Sequence, residues 1–203
     1  VSAYGACRLC LVEVEKKGRR KLTTACNYPV REGIHVFLDT DEVIKHRKMV
    51  LKLQMAQCPG SPALEALAAE YGVKPADVPF PGDDNDCILC GLCERVCREV
   101  VGADAITFTQ RGDRKAVEPP YGPPAEACIG CGACVYVCPV DCIKIEARDG
   151  KKVIVRWGRE LQLMDDPVSG APFAPQFMLE HFRKLTGLPE DFYAQAPWYA
   201  TKK

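Results

Sequence analysis

Thirteen cysteines in 203 residues constrain this chain more than any other feature, because eight of them fall in two runs of identical spacing. The first run reads C-I-L-C-G-L-C-E-R-V-C and places Cys87, Cys90, Cys93 and Cys97. The second reads C-I-G-C-G-A-C-V-Y-V-C-P and places Cys128, Cys131, Cys134 and Cys138 ahead of Pro139. Thiols concentrated in ligand spacings, and not scattered as in a disulfide framework, point to metal chemistry in a reducing compartment. Three thiols, each two residues from the next, converge only from a tight loop. Gly91, Gly130 and Gly132 let such a loop curl without a Cβ in the way, and its amide N–H groups can then point at sulfur. Zinc sites usually show paired C-x2-C units, which two runs of four do not match. Metal held this way staples a segment too small to build a sufficient core of its own.

The C-x2-C-x2-C-x3-C spacing resembles that of bacterial two-cluster ferredoxins, in which the fourth cysteine of each run ligates the other cluster. The resemblance implies one [4Fe–4S] cluster on Cys87, Cys90, Cys93 and Cys138, and a second on Cys97, Cys128, Cys131 and Cys134. Each run leads into an expected strand, Ala105 to Thr109 and Ile143 to Ala147. Arg98 follows Cys97 where a bacterial ferredoxin often has proline, which removes no ligand. Cys142 is read as a buried free thiol. Residues 111–127, with Glu118-Pro119-Pro120-Tyr121-Gly122-Pro123-Pro124, are read as an ordered surface loop of extended backbone.

The N-terminal residues carry a different pattern. Cys7 and Cys10 form a C-x2-C pair; an alternating strand, a Lys16-Lys17-Gly18-Arg19-Arg20 turn and a returning strand lead to Cys26. This resembles the second half of a plant-type [2Fe–2S] ferredoxin site of β-grasp fold. The resemblance implies that Cys7, Cys10 and Cys26 are three of four ligands, with the fourth expected five residues upstream of Val1. Either the chain starts late or the domain is a relic; retention of three thiols favours the first, because an unneeded exposed thiol is an oxidation liability. The basic turn reads as a solvated hairpin end. Residues 34–38 alternate as a closing strand, with His35 on its surface.

Thr40 and its acidic neighbours offer caps for a helix reaching about Gln57. A second helix starts near Ser61-Pro62 and ends at Gly72; residues 74–86 read as a linker. By this point four pieces stand in a specific order: G-A-C-R-L-C-L-V-E-V, the Val43 to Gln57 helix, and the two cysteine runs. Together they resemble the N-terminal iron–sulfur region of the complex I large iron–sulfur subunit, the small diaphorase subunit of NAD-linked hydrogenases, and the N-terminal part of long iron-only hydrogenases. Those families follow this helix with His-Pro and three cysteines that hold a further [4Fe–4S] cluster. Here Cys58-Pro59-Gly60-Ser61-Pro62 stands instead, with no cysteine until Cys87. One thiol cannot hold a cubane, so that cluster is expected to be absent, with Cys58 a buried structural thiol. Its loss implies a wider gap between the [2Fe–2S] site and the next cluster, so either the two approach by repacking or the electron takes another route.

Residues 149–203 suggest a strand from Lys151 to Trp157 and a helix from Gln176 to Thr186 closed by Gly187. The segment weakly resembles a zinc-ribbon appendage stripped of its cysteines, so no zinc site is expected. Phe173, Phe177, Phe182, Trp198 and Tyr199 either pack against the cluster segment or anchor a neighbouring subunit. His181 reads as a polar helix residue.

The fold class expected is α+β: a [2Fe–2S] ferredoxin remnant over 1–40, a helical segment and linker over 41–86, a two-[4Fe–4S] domain over 87–148, and an irregular α/β tail over 149–203. Lysine plus arginine equals aspartate plus glutamate at 27 each, so nothing in the charge balance demands nucleic acid or an anionic membrane. No apolar run approaches a membrane span, and no Rossmann, Walker or nucleophile-elbow motif is present. No catalytic residue is expected. The family resemblance implies an iron–sulfur electron-transfer subunit of a cytoplasmic multisubunit oxidoreductase. Its expected partners are a flavoprotein NAD(P)H module and a hydrogenase, formate dehydrogenase or other low-potential reductase. A diffusible ferredoxin-like carrier is the alternative.

Overall fold

The computed structural model describes residues 1–78 and 85–193. The chain forms two compact units that divide between Cys90 and Gly91, inside the first cysteine run; Val1 groups with the second unit.

The first unit builds a three-stranded antiparallel sheet. Strands β1 (Leu11–Lys16) and β2 (Arg19–Thr24) form a hairpin through Lys17 and Gly18, both in the left-handed region, and β3 (His35–Phe37) closes the other edge of β1. The alternation read from sequence is realised on β1: Val12 and Val14 are buried. They share the unit's core with Val43, Leu51 and Met55 of α1 (Asp41–Gln57) and Leu64 and Ala68 of α2 (Pro62–Glu70). The Thr40 hydroxyl caps α1 by accepting from Val43 N–H at 3.2 Å, and donates to Glu13 Oε2 at 2.6 Å, so one residue ties the helix start to the sheet. Arg47 fixes the middle of α1, donating to Leu11 O through Nε at 2.9 Å and through Nη2 at 2.5 Å, and to Tyr71 Oη at 3.1 Å. The basic hairpin end is partly engaged: Arg20 pairs with Glu15 and lies over the Phe37 ring.

In the second unit, α3 (Leu92–Arg95) starts from left-handed Gly91 and runs on as a π-helical turn over Val96–Val101, ended by left-handed Gly102. Strand β4 (Thr107–Thr109), shorter than expected, pairs with β5 (Ala116–Glu118). Residues 111–127 therefore contain a strand and a short 3-10 turn (Gly112–Arg114), and are not a loop throughout. Helix α4 (Ala133–Tyr136) stops ahead of Cys138-Pro139, since proline cannot continue it.

An ordered antiparallel meander starts at β6 (Ile145–Arg148), at the end of the segment read as the two-[4Fe–4S] domain, and fills much of the region read as an irregular tail with β7 (Lys151–Ile154), β8 (Arg159–Asp165) and β9 (Pro172–Pro175). The expected strand from Lys151 to Trp157 ends at Ile154, where a 3-10 turn (Val155–Trp157) drives Trp157 inward; it is 1% exposed. Helix α5 (Gln176–Thr186) has the expected bounds and Gly187 cap. His181 is more than a polar helix residue: its Nε2 lies 2.7 Å from Val101 O, at the end of the π-helical turn that carries Cys97. Phe173 and Phe182 are partly buried, while Phe177 and Phe192 remain exposed. Trp198 and Tyr199 lie outside the described residues. Among the described residues no helix is long and apolar enough to cross a membrane.

Candidate metal centres

Cys97, Cys128, Cys131 and Cys134 line a single small cavity of about 20 Å³. The rest of its wall is apolar, including Val101, Ile106, Ile129, Ile154 and Trp157. Cys128 and Cys131 come from the loop ahead of α4, Cys134 from the first turn of α4, and Cys97 from the π-helical turn after α3, so the four thiols that the resemblance groups together line one cavity. Burial pushes the Cys97 and Cys128 thiols up and Cys134 up to about 11, with the other thiol charges in the pocket adding to the rise. Hydrogen bonds to sulfur oppose that rise. Ala105 N–H donates to Cys97 Sγ at 3.4 Å and the Trp157 indole N–H to Cys134 Sγ at 3.4 Å, while Gly130 N–H points at Cys128.

The meander presses on this loop. A Cβ at Gly130 would come 2.6 Å from Leu161 Cδ1 on β8, and one at Gly132 would come 2.9 Å from Ile145 Cδ1 on β6. Both glycines are left-handed, so the close approach and the turn each require them. Lys152 of β7 reaches the same loop, its Nζ 3.9 Å from that Gly132 Cβ position. Burial lowers the Lys152 ammonium pKa, opposed by the charges of Cys131, Cys128 and Cys134. Arg159 Nε donates to Cys128 O at 3.0 Å. Sequence reading missed Trp157, Lys152 and Arg159, because only the meander's pairing brings them to the cysteines.

Of the other four cysteines that the resemblance groups, Cys87 and Cys90 end the first unit, and Cys93 and Cys138 belong to the second. Leu89, left-handed, donates its N–H to Cys87 Sγ at 3.4 Å. Cys142, read as buried, is only partly so, and its sulfur lies 3.5 Å from Cys138 Sγ. That thiol contact is the main cause lowering Cys138 to about 5. Burial opposes it, and the N–H groups of Cys142, Val140 and Asp141 lower it further.

Cys7, Cys10 and Cys26 converge at the edge of the first sheet. Burial raises the Cys10 thiol, but hydrogen bonds from the Cys26 N–H and thiol and from the Ala25 N–H outweigh it, and Cys10 falls overall. Cys26, which is exposed, rises through burial of its few covered atoms, the Cys10 hydrogen bond, and the Cys10 and Cys7 charges. Gly5 is left-handed, and a Cβ there would come 2.8 Å from Asn27 Nδ2, so it must stay small to let the loop close on Cys26.

Cys58 is buried at 2% exposure, as expected, beside a cavity also lined by Met55, Ser61 and Leu64. One turn of α1 contacts two cysteine segments of the first unit. Gln54 Nε2 donates to Cys7 O at 3.4 Å and Gln57 Nε2 to Cys87 O at 3.5 Å.

The donor chemistry fits iron–sulfur groups: thiols alone, loop N–H groups on sulfur, and apolar walls. Among the described residues no three His, Cys, Asp or Glu side chains close tightly enough to hold one metal ion. A four-iron cage asks for something else, four thiolates around a shared space, and four thiols line this cavity.

Two domain families match this chain: a 2Fe-2S iron-sulfur cluster binding domain over residues 1–41 and a 4Fe-4S dicluster domain over residues 82–145. The NADPH-Fe(3+) oxidoreductase subunit alpha of Geobacter sulfurreducens is 34% identical over 162 residues, covering 68% of this chain and 19% of that protein. A subunit of the NADH-quinone oxidoreductase of Rhizobium meliloti is 34% identical over 161 residues, covering 66% of this chain and 18% of that protein. The chain thus spans less than a fifth of either relative. Ferredoxin-3 of Rhodobacter capsulatus is 39% identical over 75 residues, 30% of this chain and 72% of that protein. An NAD+-reducing [NiFe]-hydrogenase structure superposes with a TM-score of 0.55 at 24% identity, covering 69% of each chain, which shows a shared fold. This chain carries a 2Fe-2S iron-sulfur cluster binding domain and a 4Fe-4S dicluster domain, and by its likeness to Ferredoxin-3 it belongs to the ferredoxin family.

Proposed function

We propose that the chain is the electron-relay segment of a multisubunit oxidoreductase, passing single electrons between a flavin and NAD(P)H module and a catalytic partner such as a hydrogenase, formate dehydrogenase or other low-potential reductase. The observation that carries this reading is the cavity walled by Cys97, Cys128, Cys131 and Cys134 in otherwise apolar surroundings. These four residues hold one [4Fe–4S] group, Cys87, Cys90, Cys93 and Cys138 hold the other, and Cys7, Cys10 and Cys26 supply three ligands to a [2Fe–2S] group. Such groups accept and release one electron at a time. The protein's own residues do the rest. Apolar walls exclude water, loop N–H groups stabilise thiolate charge, and Gln54 and Gln57 hold two cysteine loops on one helix turn.

The domain division that goes with this reading is 1–40, 41–86, 87–148 and 149–203. The last segment covers a cysteine loop and leaves Phe177, Leu185 and Phe192 exposed for a neighbouring subunit. Two redox relatives that are themselves subunits, one of an NADPH-linked and one of an NADH-linked oxidoreductase, support the subunit reading. Size exclusion of natively purified material tests it. We expect co-elution with a flavoprotein; a stable monomer of the chain's own mass would sink the subunit reading and favour the diffusible carrier.

A further inference from the structure

We propose that the C-terminal meander sets the reduction potential of the group held by Cys97, Cys128, Cys131 and Cys134, raising it through Lys152 and Trp157, which act as positioning residues for charge. The inference rests on the ligand set proposed above, and it concerns residues outside both matched domain families, which end at 145.

The geometry is specific. Lys152 sits in the centre of the sheet, on β7 between Ala147 of β6 and Leu161 of β8, and is half-buried. Its Nζ lies 3.9 Å from where a Cβ at Gly132, between Cys131 and Ala133, would stand. Trp157 is buried, and its N–H, which can only donate, is spent on Cys134 Sγ. Ala125 N–H donates to Trp157 O at 2.9 Å and holds the residue in place.

The physical consequence has one sign. Adding an electron to a thiolate-bound group increases its negative charge, with no bond formed or broken and no proton required. A fixed cation and a fixed N–H dipole beside it stabilise the more negative form more than the less negative one, and low dielectric magnifies the difference. Both devices therefore favour reduction. They act on one of the two duplicated loops. At the equivalent glycine of the other loop, Gly91, the covering atoms belong to the Phe108 ring. Lys115 lies over that ring, with its Nζ 4.2 Å from the centroid.

The test is an EPR-monitored redox titration of the anaerobically purified full chain, carried out with a chemical reductant and mediators. In Lys152→Met we expect one [4Fe–4S] midpoint to fall by a tenfold change in the reduction equilibrium, about 59 mV for one electron, while the other stays in place. Lys152→Arg should restore it. Trp157→Phe should lower the same midpoint by a smaller amount, with iron content unchanged. Unchanged midpoints in Lys152→Met, or equal shifts of both, overturn the proposal. Failure of the ligand set reads out separately: Cys134→Ala would then keep its full iron and both [4Fe–4S] signals. Should Trp157→Phe lose iron, Lys152→Met still decides, since it removes charge without emptying a core position.

Discussion

The two cysteine runs share one spacing, yet the molecule treats them differently. The set completed by Cys97 lies within one compact unit, around one cavity, beneath a four-stranded sheet that presses Leu161 and Ile145 onto its glycines. Of the other four cysteines, Cys87 and Cys90 fall in the first unit, and Cys93 and Cys138 in the second. Around Gly91 the cover is the short β4–β5 hairpin through Phe108. Ligand spacing decides which metal group can form; the elements that follow each run decide how dry, how charged and how rigid its surroundings are. A duplicated motif is thus not a duplicated environment, and equal reduction potentials are not expected from it.

The largest test of this contrast removes a ligand. Cys97→Ala should cost about four irons per chain, the content of one [4Fe–4S] group, whereas Cys142→Ala should keep all the iron despite its contact with Cys138. Iron and sulfide analysis distinguishes the two; full iron in Cys97→Ala would break the crossed assignment.

Next comes the pressure of the sheet. Gly130→Val combines left-handed strain with a collision at Leu161, and should destabilise the second unit by roughly 2–4 kcal/mol. Gly122→Ala meets nothing within 4 Å, so it carries the backbone strain alone, about 1 kcal/mol. Thermal melts of the loaded chain measure both; equal effects would mean that the meander does not press on the cysteine loop.

His181→Ala should have a smaller effect, roughly 1 kcal/mol from one hydrogen bond, with faster amide exchange in α5 and at the end of the π-helical turn. Exchange unchanged in both places would show that the His181 contact with Val101 does not anchor the helix. Gln57→Ala should be the mildest, about 0.5 kcal/mol for a long, partly exposed bond. Its exchange signature belongs in the Cys87 loop, with none in the loop of Cys128.

Much of this was legible locally. Thr40 and the acidic first turn fixed the start of α1, Gly187 fixed the end of α5, and Val12 and Val14 announced the buried face of β1. These signals lie within a few residues of what they determine. The meander did not show itself because its strands are short and its alternation weak: β6 exposes every residue, and β9 begins and ends in proline. Its order comes from pairing between strands, and Trp157, Lys152 and Arg159 acquire a role only once that pairing sets them over Cys128 to Cys134. Cys142 was misjudged for a related reason. In the ferredoxins it resembles, that place normally holds a small residue packed under the loop, whereas here Cys142, after left-handed Asp141, is partly exposed with its sulfur toward Cys138.

The most direct test is the EPR spectrum of the reduced, anaerobically purified chain, with spins integrated against its iron content. Crossed ligation places two [4Fe–4S] groups close together, so the spectrum should show two paramagnets per chain broadened by mutual coupling, and Cys134→Ala should leave a single uncoupled signal. Two signals without coupling, or a coupled pair that survives Cys134→Ala, would contradict the account.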